Sequence, residues 1–540
     1  MSTPSTHSTR RQVLLAGGGA AAGLLLAVPP HASAGNASAG RGAATAAAPL
    51  GHGASRFDAR LVRRWAADTM RSLERMTFPA TGLPADNIRE SLTLAEASHY
   101  TSPTNIGGWM WSNVVARDLG LITPGECTRR IRRTLRTLLR MAHHEPSGMY
   151  YNWYDPRDGS VVTQWPLAPF DRVYPFVSSV DNGWLGAALQ VVRTAVPGAR
   201  HLAEQLWQRM RWDVFYNPNA SRPGGLVHGG FYDAPPPPGS STFTGNHIGI
   251  GPDVWYTTHH YDTVVSETRI TTYLGLIRGQ IPPQNYYALW RTFPPTCDWS
   301  WQEMQPVGTT RTYFGIEVFE GAYTYRGMRI VPGWGGSMFE ELMPAIFVPE
   351  ERWAPRSWGV NHPLHVRAQR EHGLVEAKYG YWGFSPSSDP FVEEGYREYG
   401  VDALGLNPEG YFSDQERTNY DVGFDDCRPA LNPNPTYGTG VVTPHAAFLA
   451  MMFEPGEAVR NLRRIQRDLQ AYGRGGFFDA AAVRGGRVAR RYLSLDQAMI
   501  VGAIGNVLAR GSLRRSFSTR AVERALRPVI GIERFGAGIG

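Results

Sequence analysis

Acidic residues set among aromatic ones are the groups in this sequence that could do chemistry. Asp155 closes the run Tyr-Asn-Trp-Tyr-Asp, Asp181 precedes Asn-Gly-Trp, and Glu267 follows an aromatic segment that contains Asp262. Similar surroundings hold Glu340, Asp389 and Asp496. Glycosidic cleavage needs one protonated carboxyl to protonate the leaving oxygen and one ionised carboxylate to activate water or attack carbon. Because apolar, aromatic surroundings raise a carboxyl pKa, this pattern indicates sugar chemistry.

Other chemistries lack their usual patterns. The sequence contains no Gly-x-Ser-x-Gly elbow, phosphate-binding loop or dinucleotide fingerprint. Cys127, Cys297 and Cys427 lie far apart, which leaves at most one disulfide and no zinc-type spacing. The histidine pairs at 143–144 and 259–260 lack the i, i+4 spacing of a helical zinc site. We therefore expect no metal and no cofactor.

The composition fits a large globular enzyme and argues against nucleic-acid binding. Of the 540 residues, 42% are hydrophobic and 19% charged, enough for a sizeable core. The net charge of +7 comes almost entirely from arginine, since Lys378 is the only lysine. The densest basic run, at 129–140, alternates with leucine and isoleucine as on a solvated helix face. The 16 tryptophans and 24 tyrosines are more than a core needs, and such rings can stack on sugars.

The pattern of the first 54 residues predicts an export signal followed by a leader. Paired arginines at 10–11 precede a short apolar stretch, and Ala-Ser-Ala at 32–34 offers a cleavage site. This is the pattern of a twin-arginine signal peptide over residues 1–34, which the twin-arginine export machinery would recognise. Residues 35–54 are rich in Ala, Gly and Ser and predict a flexible leader. The mature protein, one domain over 55–540, is expected to be secreted, without stable membrane insertion, and monomeric.

Helical periodicity recurs along the body of the chain. In 127–142, Ile131, Leu135 and Leu138 recur at three- and four-residue steps, as one helix face requires. The other predicted helices cover 61–76, 107–118, 182–196, 201–212, 266–278, 335–346, 362–372, 443–452, 458–472 and 495–509. Short strands are predicted at 148–151 and, as a hairpin, at 316–330. The pattern favours one all-α domain with about a dozen helices and aromatic loops.

A series of motifs resembles one bacterial family. They include Thr-Ser-Pro-Thr-Asn-Ile-Gly at 101–107 and Ser-Glu-Thr-Arg at 266–269. Others follow in the family's order at 151–155, 178–181, 337–344, 381–385, 443–447, 476–480 and 495–498. The chain from about 57 to 518 thereby resembles the glucoamylase-like domain family. That family includes β-1,2-glucan hydrolases of glycoside hydrolase family 144 type and a domain of cyclic β-1,2-glucan synthases.

The resemblance implies a fold and an activity. It implies an (α/α)6 toroid with a substrate cleft at one end and endo-type cleavage of β-linked glucan, with β-1,2 as the favoured linkage. Because a fold does not fix a linkage, the linkage stays open. The sequence departs from the family at 385–390, where a Ser-Asp turn has an added residue and no glycine. This departure places the subsite geometry in question.

Roles follow for individual residues. Glu267 is the expected general acid, although Arg269 or Arg278 could instead hold it as a structural carboxylate. Glu340 is the favoured second carboxylate, and Asp496 and Asp181 are its rivals. The residues expected to bind the polysaccharide or oligosaccharide substrate are Asn105, Tyr151, Trp153, Asp155, Asp262, Trp334, Tyr381, Trp382 and Asp389. Inversion or retention depends on the carboxyl separation, which a sequence does not give.

Three other functions stay open at this point. The same scaffold could transfer glycosyl units to another sugar, or hydrolyse another linkage such as an α-glucan or an arabinan. It could also be a carbohydrate-binding protein without catalysis. A Glu267→Gln variant separates enzyme from binding protein, because only an enzyme would lose turnover while keeping its affinity for sugar.

Overall fold

Helices make up most of the regular structure. The computed structural model describes residues 57–167, 169–295, 302–406 and 437–539. The predicted signal peptide and leader, Cys297 and Cys427 lie outside these ranges. The α-helices of the described ranges are α1 (Ala59–Arg75), α2 (Pro103–Asp118), α3 (Pro124–Leu138), α4 (Ser179–Ala195), α5 (Arg200–Arg209), α6 (Arg269–Arg278), α7 (Gln284–Ala288), α8 (Met338–Leu342), α9 (Glu350–Trp353), α10 (Trp358–Glu371), α11 (Pro444–Ala450), α12 (Pro455–Asp468), α13 (Ser494–Leu508), α14 (Ser512–Phe517) and α15 (Arg520–Ile530).

Two kinds of helix differ in how they are buried. Helix α3 begins with Pro124 after Thr123, whose side chain accepts a hydrogen bond from the backbone N–H of Glu126. It buries Ile131, Leu135 and Leu138 on one face and exposes most of its arginines, as the periodicity predicts. Helix α2, in contrast, is buried all round from its first residue to Ala116. A helix buried on every side lies inside the molecule.

The buried helices contact one another in a closed order. Helix α2 packs on α4, α4 on α6, α8 on α11, α11 on α13, and α13 on α2. The contact between α6 and α8 is made by Arg269, which donates hydrogen bonds to the backbone carbonyls of Glu340 and Glu341. A second set packs against this ring: α1 on α13, α3 on α2, α5 on α4, α15 on α6, α10 on α8 and α12 on α11.

Glycine lets neighbouring buried helices approach closely. A Cβ added to Gly107 of α2 would be 2.9 Å from the carbonyl oxygen of Trp184 in α4. One added to Gly183 of α4 would be 2.6 Å from Oγ1 of Thr271 in α6. Larger residues at these two positions would push the helices apart and move the side chains at their starts.

Small antiparallel sheets lie between the helices and are more numerous than predicted. The strands are β1 (Asn87–Arg89), β2 (Phe176–Ser178), β3 (Tyr216–Asn217), β4 (Leu226–His228), β5 (Gly230–Tyr232), β6 (Thr242–Gly245), β7 (Val254–Thr257), β8 (His260–Tyr261), β9 (Val307–Tyr313), β10 (Ile316–Tyr325), β11 (Met328–Ile330), β12 (Ser387–Ser388), β13 (Tyr396–Arg397), β14 (Val441–Val442), β15 (Tyr472–Gly473), β16 (Gly476–Phe477), β17 (Ala480–Ala482), β18 (Val488–Ala489), β19 (Arg491–Leu493) and β20 (Gly538–Ile539). The larger sheets have the orders β2-β5-β7-β6 and β20-β11-β10-β9. Two- and three-residue strands are too short to leave an alternating pattern in the sequence.

Of the two predicted β segments, one forms strands and the other does not. The hairpin is present as β10 and β11, with Tyr323 opposite Ile330. The segment 148–151 forms no strand and has only an isolated bridge at Met149. The predicted helix 335–346 is also shortened to α8, because Gly335 and Gly336 have positive φ and Pro344 follows. None of the helices in the described ranges combines the length and the apolar character that crossing a membrane requires.

Candidate active site

The starts of the buried helices meet at one end of the ring. Thr104, at the start of α2, donates a hydrogen bond of 2.7 Å to the carboxylate of Asp181 in α4. The indole N–H of Trp184 in α4 donates to the carboxylate of Glu267, two residues ahead of α6, at 2.5 Å. The backbone N–H of Glu267 in turn donates to Oε2 of Glu340 in α8 at 2.6 Å. Hydrogen bonds from one helix start to the next therefore bring three of the predicted carboxylates to this end.

Glu267 and Glu340 form a buried pair of carboxyl groups, with only 4% and 5% of each residue exposed. Burial, and then the negative charge of Glu267, raise the pKa of Glu340 well above its usual range. Two such carboxyls cannot both ionise easily, so their arrangement favours one neutral and one ionised group. One neutral and one ionised carboxyl are what the two-carboxylate reaction requires.

Arg269 does not hold Glu267, which was the structural alternative for that acid. Its guanidinium pairs with the carboxylate of Glu350 at 2.8 Å, and both side chains are fully buried. Its remaining donors bind the backbone carbonyls of Ser266, Glu340 and Glu341. Arg269 therefore fixes the backbone that carries the acidic pair.

Asp181 is enclosed and fully hydrogen-bonded. Its Oδ1 accepts the bond from Thr104, and its Oδ2 accepts one from Asn152 at 3.0 Å. With no exposed surface, it connects α2, α4 and the loop before residue 155. This arrangement favours a positioning role for Asp181 over that of a rival second carboxylate.

Asp86 was missed by the sequence reasoning. Its Oδ1 accepts a hydrogen bond of 2.9 Å from Asn105, and its backbone carbonyl accepts one from Ser494 at the start of α13. Asn105 is thus held inside the protein by a buried carboxylate. Asp86 follows Leu-Pro-Ala and has no aromatic neighbours in the sequence, which is why the aromatic pattern did not select it.

His445, Asp479 and Asp496 form a second group at the same end. One ligand atom from each lies within 4.8 Å of the others, and all three residues are buried. Burial lowers the pKa of His445 to about 4, so its ring is neutral at neutral pH. These are the residues of the described chain whose donor atoms could together hold a metal ion. Of the three, only Asp496 was predicted as a site residue, although the motif at 476–480 contains Asp479.

The predicted aromatic residues divide between two places. Tyr151 donates a hydrogen bond to Asp233, and Trp153 packs edge-on against Tyr100 at 5.5 Å. These two lie in the loop that Asp181 holds through Asn152. Trp334 is largely buried, and its backbone N–H donates to the backbone carbonyl of Val265, two residues before Glu267.

Tyr381 and Trp382, in contrast, are fixed to helix α12 of the outer set. The Tyr381 hydroxyl donates to Asp468 at 3.2 Å, and the backbone of Trp382 exchanges hydrogen bonds with Asn461. Both residues therefore join the loop at 381–382 to helix α12.

Two of the three remaining predicted acids pair with nearby arginines. Asp155 pairs with Arg157, and Asp389 pairs with Arg397 at 2.5 Å. The backbone carbonyl of Asp262 accepts a hydrogen bond of 2.5 Å from the N–H of Trp290. Beside Asp389, the N–H of Ser388 donates to Asp479 at 2.7 Å, so this turn lies next to the His445 group.

The chain is similar to known proteins in sequence and fold. Residues 307–520 match the Glycoamylase family, described as "Putative glucoamylase". The cyclic β-(1,2)-glucan synthase NdvB of Rhizobium meliloti is 27% identical over 278 residues, which is 49% of this chain and 8% of the synthase. The chain therefore spans less than a tenth of that curated relative's length.

Solved structures of glucanases share the fold. An endo-β-1,2-glucanase from Chitinophaga pinensis, in complex with sophorotriose and glucose, is 15% identical with a TM-score of 0.57, over 88% of this chain and 99% of that one. A β-1,2-glucanase from Parabacteroides distasonis is 16% identical with a TM-score of 0.61, over 88% of this chain and 60% of that one. At such identities the likeness is one of fold. The family match, the synthase match and the shared fold together confirm the resemblance to the glucoamylase-like family that the sequence motifs indicated.

Proposed function

We propose that this chain is a glycoside hydrolase that cleaves β-linked glucan within the polymer, with the β-1,2 linkage as its substrate. The observation that carries the proposal is the buried pair of Glu267 and Glu340, in which burial and the charge of Glu267 raise the pKa of Glu340. The fold is shared with endo-β-1,2-glucanases, which supports the choice of substrate. The aromatic loop around Tyr151 and Trp153 supports a sugar ligand, because such rings stack on pyranose faces.

The reaction uses the two carboxyls in complementary states. The proton that the raised pKa of Glu340 retains first passes to Glu267, which gives it to the glycosidic oxygen as the bond between that oxygen and the anomeric carbon breaks. Glu340, now ionised, takes a proton from the water whose oxygen attacks the anomeric carbon. With Glu340 protonated and Glu267 ionised again, the site is restored. Asp496 is the alternative for the second carboxylate.

The architecture we propose is the (α/α)6 toroid. Its inner barrel would consist of α2, α4, α6, α8, α11 and α13, whose contacts follow that order and close on themselves. The cleft would then lie at the end where the helix starts meet, since Glu267, Glu340 and Asp496 lie at that end.

Export is a separate part of the proposal. The arginine pair at 10–11 before an apolar stretch supports secretion through the twin-arginine machinery. Replacing both arginines by lysine should retain the protein inside the producing cell while leaving the activity of the lysate unchanged. Equal secretion of the variant would contradict this route.

The decisive experiment is a digestion of linear β-1,2-glucan, with products separated by size. The wild-type protein should release short β-1,2-oligosaccharides, and β-1,3-, β-1,4- and α-1,4-glucans should stay intact. Glu267→Gln should lower turnover about 10²–10⁴-fold, the usual share of general acid catalysis, while affinity for the glucan persists. Glu317→Gln, on the exposed side of β10, is the matched control and should be fully active.

Each other outcome contradicts a defined part of the proposal. Products longer than the substrate would indicate glycosyl transfer instead of hydrolysis. Cleavage of another polymer in the panel would overturn the linkage. If every polymer stayed intact while the glucan still bound, the protein would be a carbohydrate-binding protein.

A further inference from the structure

The group of His445, Asp479 and Asp496, here called the His445 cluster, is assembled from three separate elements. His445 is the second residue of α11, Asp479 lies between β16 and β17, and Asp496 is the third residue of α13. The exposed fractions of these residues are only 1%, 1% and 2%. Their donor atoms nevertheless converge to within 4.8 Å of one another.

Polar atoms of the cluster lack hydrogen-bond partners among the described residues. Both ring nitrogens of His445 are in this state, and Nδ1 is 3.6 Å from Oδ2 of Asp496, too far for a hydrogen bond. Asp479 accepts a bond from Ser388 on Oδ2, whereas its Oδ1 has none. Nearly all buried polar groups in folded proteins are hydrogen-bonded. The two ring nitrogens of His445 and Oδ1 of Asp479 therefore indicate a ligand that binds between them.

The charge of the cluster specifies that ligand. Asp479 and Asp496 bring two buried carboxyl groups to a buried imidazole, and buried carboxylates are usually paired or bound to a metal ion. A divalent cation would balance the charges of two carboxylates. Three atoms that are 4.8 Å apart or less always have a point between them within about 2.8 Å of each, close to the roughly 2.0–2.6 Å of metal–ligand bonds.

We propose that His445, Asp479 and Asp496 bind one divalent transition-metal ion, Zn²⁺ or Mn²⁺. An imidazole with two carboxylates suits these ions better than Ca²⁺ or Mg²⁺, which prefer oxygen ligands alone. Three protein ligands leave coordination positions open for water or a sugar hydroxyl. With Asp496 engaged as a ligand, Glu340 is left as the second carboxylate of the reaction. The ion site itself does not depend on the proposed hydrolase activity.

Metal binding to the mature chain tests the proposal directly. The protein is stripped with EDTA, dialysed, and titrated by calorimetry with Zn²⁺, Mn²⁺, Ca²⁺ and Mg²⁺ in separate runs. Zn²⁺ or Mn²⁺ should bind at one ion per chain, at least tenfold more tightly than Ca²⁺ or Mg²⁺. The bound ion should also raise the melting temperature of the stripped wild-type protein.

Variants locate the site. Asp479→Asn and His445→Gln should each weaken the binding at least tenfold. Asp389→Asn, which changes a nearby buried carboxylate paired with Arg397, should bind the ion as the wild type does. Glu267→Gln should also bind it normally, which separates this test from that of the hydrolase. Circular dichroism identifies any variant that fails to fold.

Two results would overturn the proposal. The first is that the stripped wild-type protein binds none of the four ions and its melting temperature does not change with Zn²⁺ or Mn²⁺. The second is that a folded Asp479→Asn protein binds the ion with unchanged affinity, because the ion would then lie elsewhere. The wild-type measurements do not depend on any variant folding.

Discussion

Glu340 and Glu341 are adjacent in the chain and similarly buried, yet they face opposite electrostatic environments. Glu340 faces Glu267, and burial together with that like charge raises the pKa of Glu340. Glu341 faces α10, where His362 lies 2.6 Å from its carboxylate. Although burial raises the pKa of Glu341, the charge of His362 and its hydrogen bond lower it overall.

The difference separates the region of the proposed reaction from a region of paired charges that stabilises the fold. Behind Glu341, the side chains of Arg269, Glu350 and His362 complete a buried network in which each acid has a basic partner. In front of it, Glu267 accepts a hydrogen bond from the indole of Trp184, and Glu340 accepts hydrogen bonds from the backbone of Glu267 and the side chain of Ser266. A like charge nearby raises the pKa of a buried carboxyl, whereas a basic partner lowers it.

Breaking the stabilising network should have the largest effect. Arg269→Met removes the guanidinium that pairs with Glu350 and binds three backbone carbonyls. Because this leaves a buried carboxylate without its partner, we expect the free energy of unfolding to fall by about 3–5 kcal/mol. Chemical denaturation measures it.

Arg278→Met is the matched control on the same helix. Arg278 is partly exposed and hydrogen-bonds Gln208, so its loss should cost at most about 1 kcal/mol. Equal stability of the Arg269 and Arg278 variants would show that the buried network does not stabilise the fold.

The two regions should also respond to pH in opposite directions. Although burial opposes it, the charge of Arg269 lowers the pKa of Glu350 to about 2 from 4.5. Its stabilisation, of order 3 kcal/mol, is therefore present above pH 4.5 and lost as the pH falls towards 2. Because the pKa of Glu340 is raised, its contribution is greatest below pH 4.5 and is lost as the pH rises.

Denaturation at several pH values measures these two contributions. Glu350→Gln should remove the acid-side loss of stability, and Glu340→Gln should remove part of the alkaline-side loss. If Glu340→Gln left the alkaline side unchanged, the carboxyl pair would not hold the shared proton.

Glu340→Gln should also impair the reaction. Glutamine can still accept the hydrogen bond from the backbone of Glu267, but it cannot exchange a proton with that residue. We expect kcat to fall about 10²-fold, with loss of one limb of the pH–rate profile. Glu341→Gln, the adjacent control, should change stability and leave the shape of that profile unchanged. A nearly active Glu340→Gln enzyme would show that Glu340 only positions Glu267 and that Asp496 is the second carboxylate.

The sequence predicted the long helices, and it failed where contacts come from distant segments. Helix α3 could be predicted because its capping threonine, first-turn proline and apolar face are all local. Glu267 was selected by its aromatic neighbours. The opposite pKa shifts of Glu340 and Glu341, in contrast, depend on residues near the start of α6 and in α10. Asp86 gave no local signal, and the motif at 443–447 contains His445 without indicating its neighbours, since the groups near both residues come from other segments. The two- and three-residue strands exist only through pairing, which a sequence does not display.

The smallest expected effect comes from the donor to Glu267. Trp184→Phe removes the indole N–H that binds the Glu267 carboxylate and keeps an aromatic ring against Phe347. A hydrogen bond to a charged group contributes about 1.5–3 kcal/mol, so a loss of about tenfold in kcat with little change in KM is expected if the bond orients the acid. Trp212→Phe is the matched control, because its buried indole N–H has no hydrogen-bond partner among the described residues. If both variants lost the same activity, the effect would come from packing, and Trp184 would not position the acid. If only Trp184→Phe slowed turnover, the lost hydrogen bond would be the cause, and the indole N–H of Trp184 would be a group that positions Glu267 for the reaction.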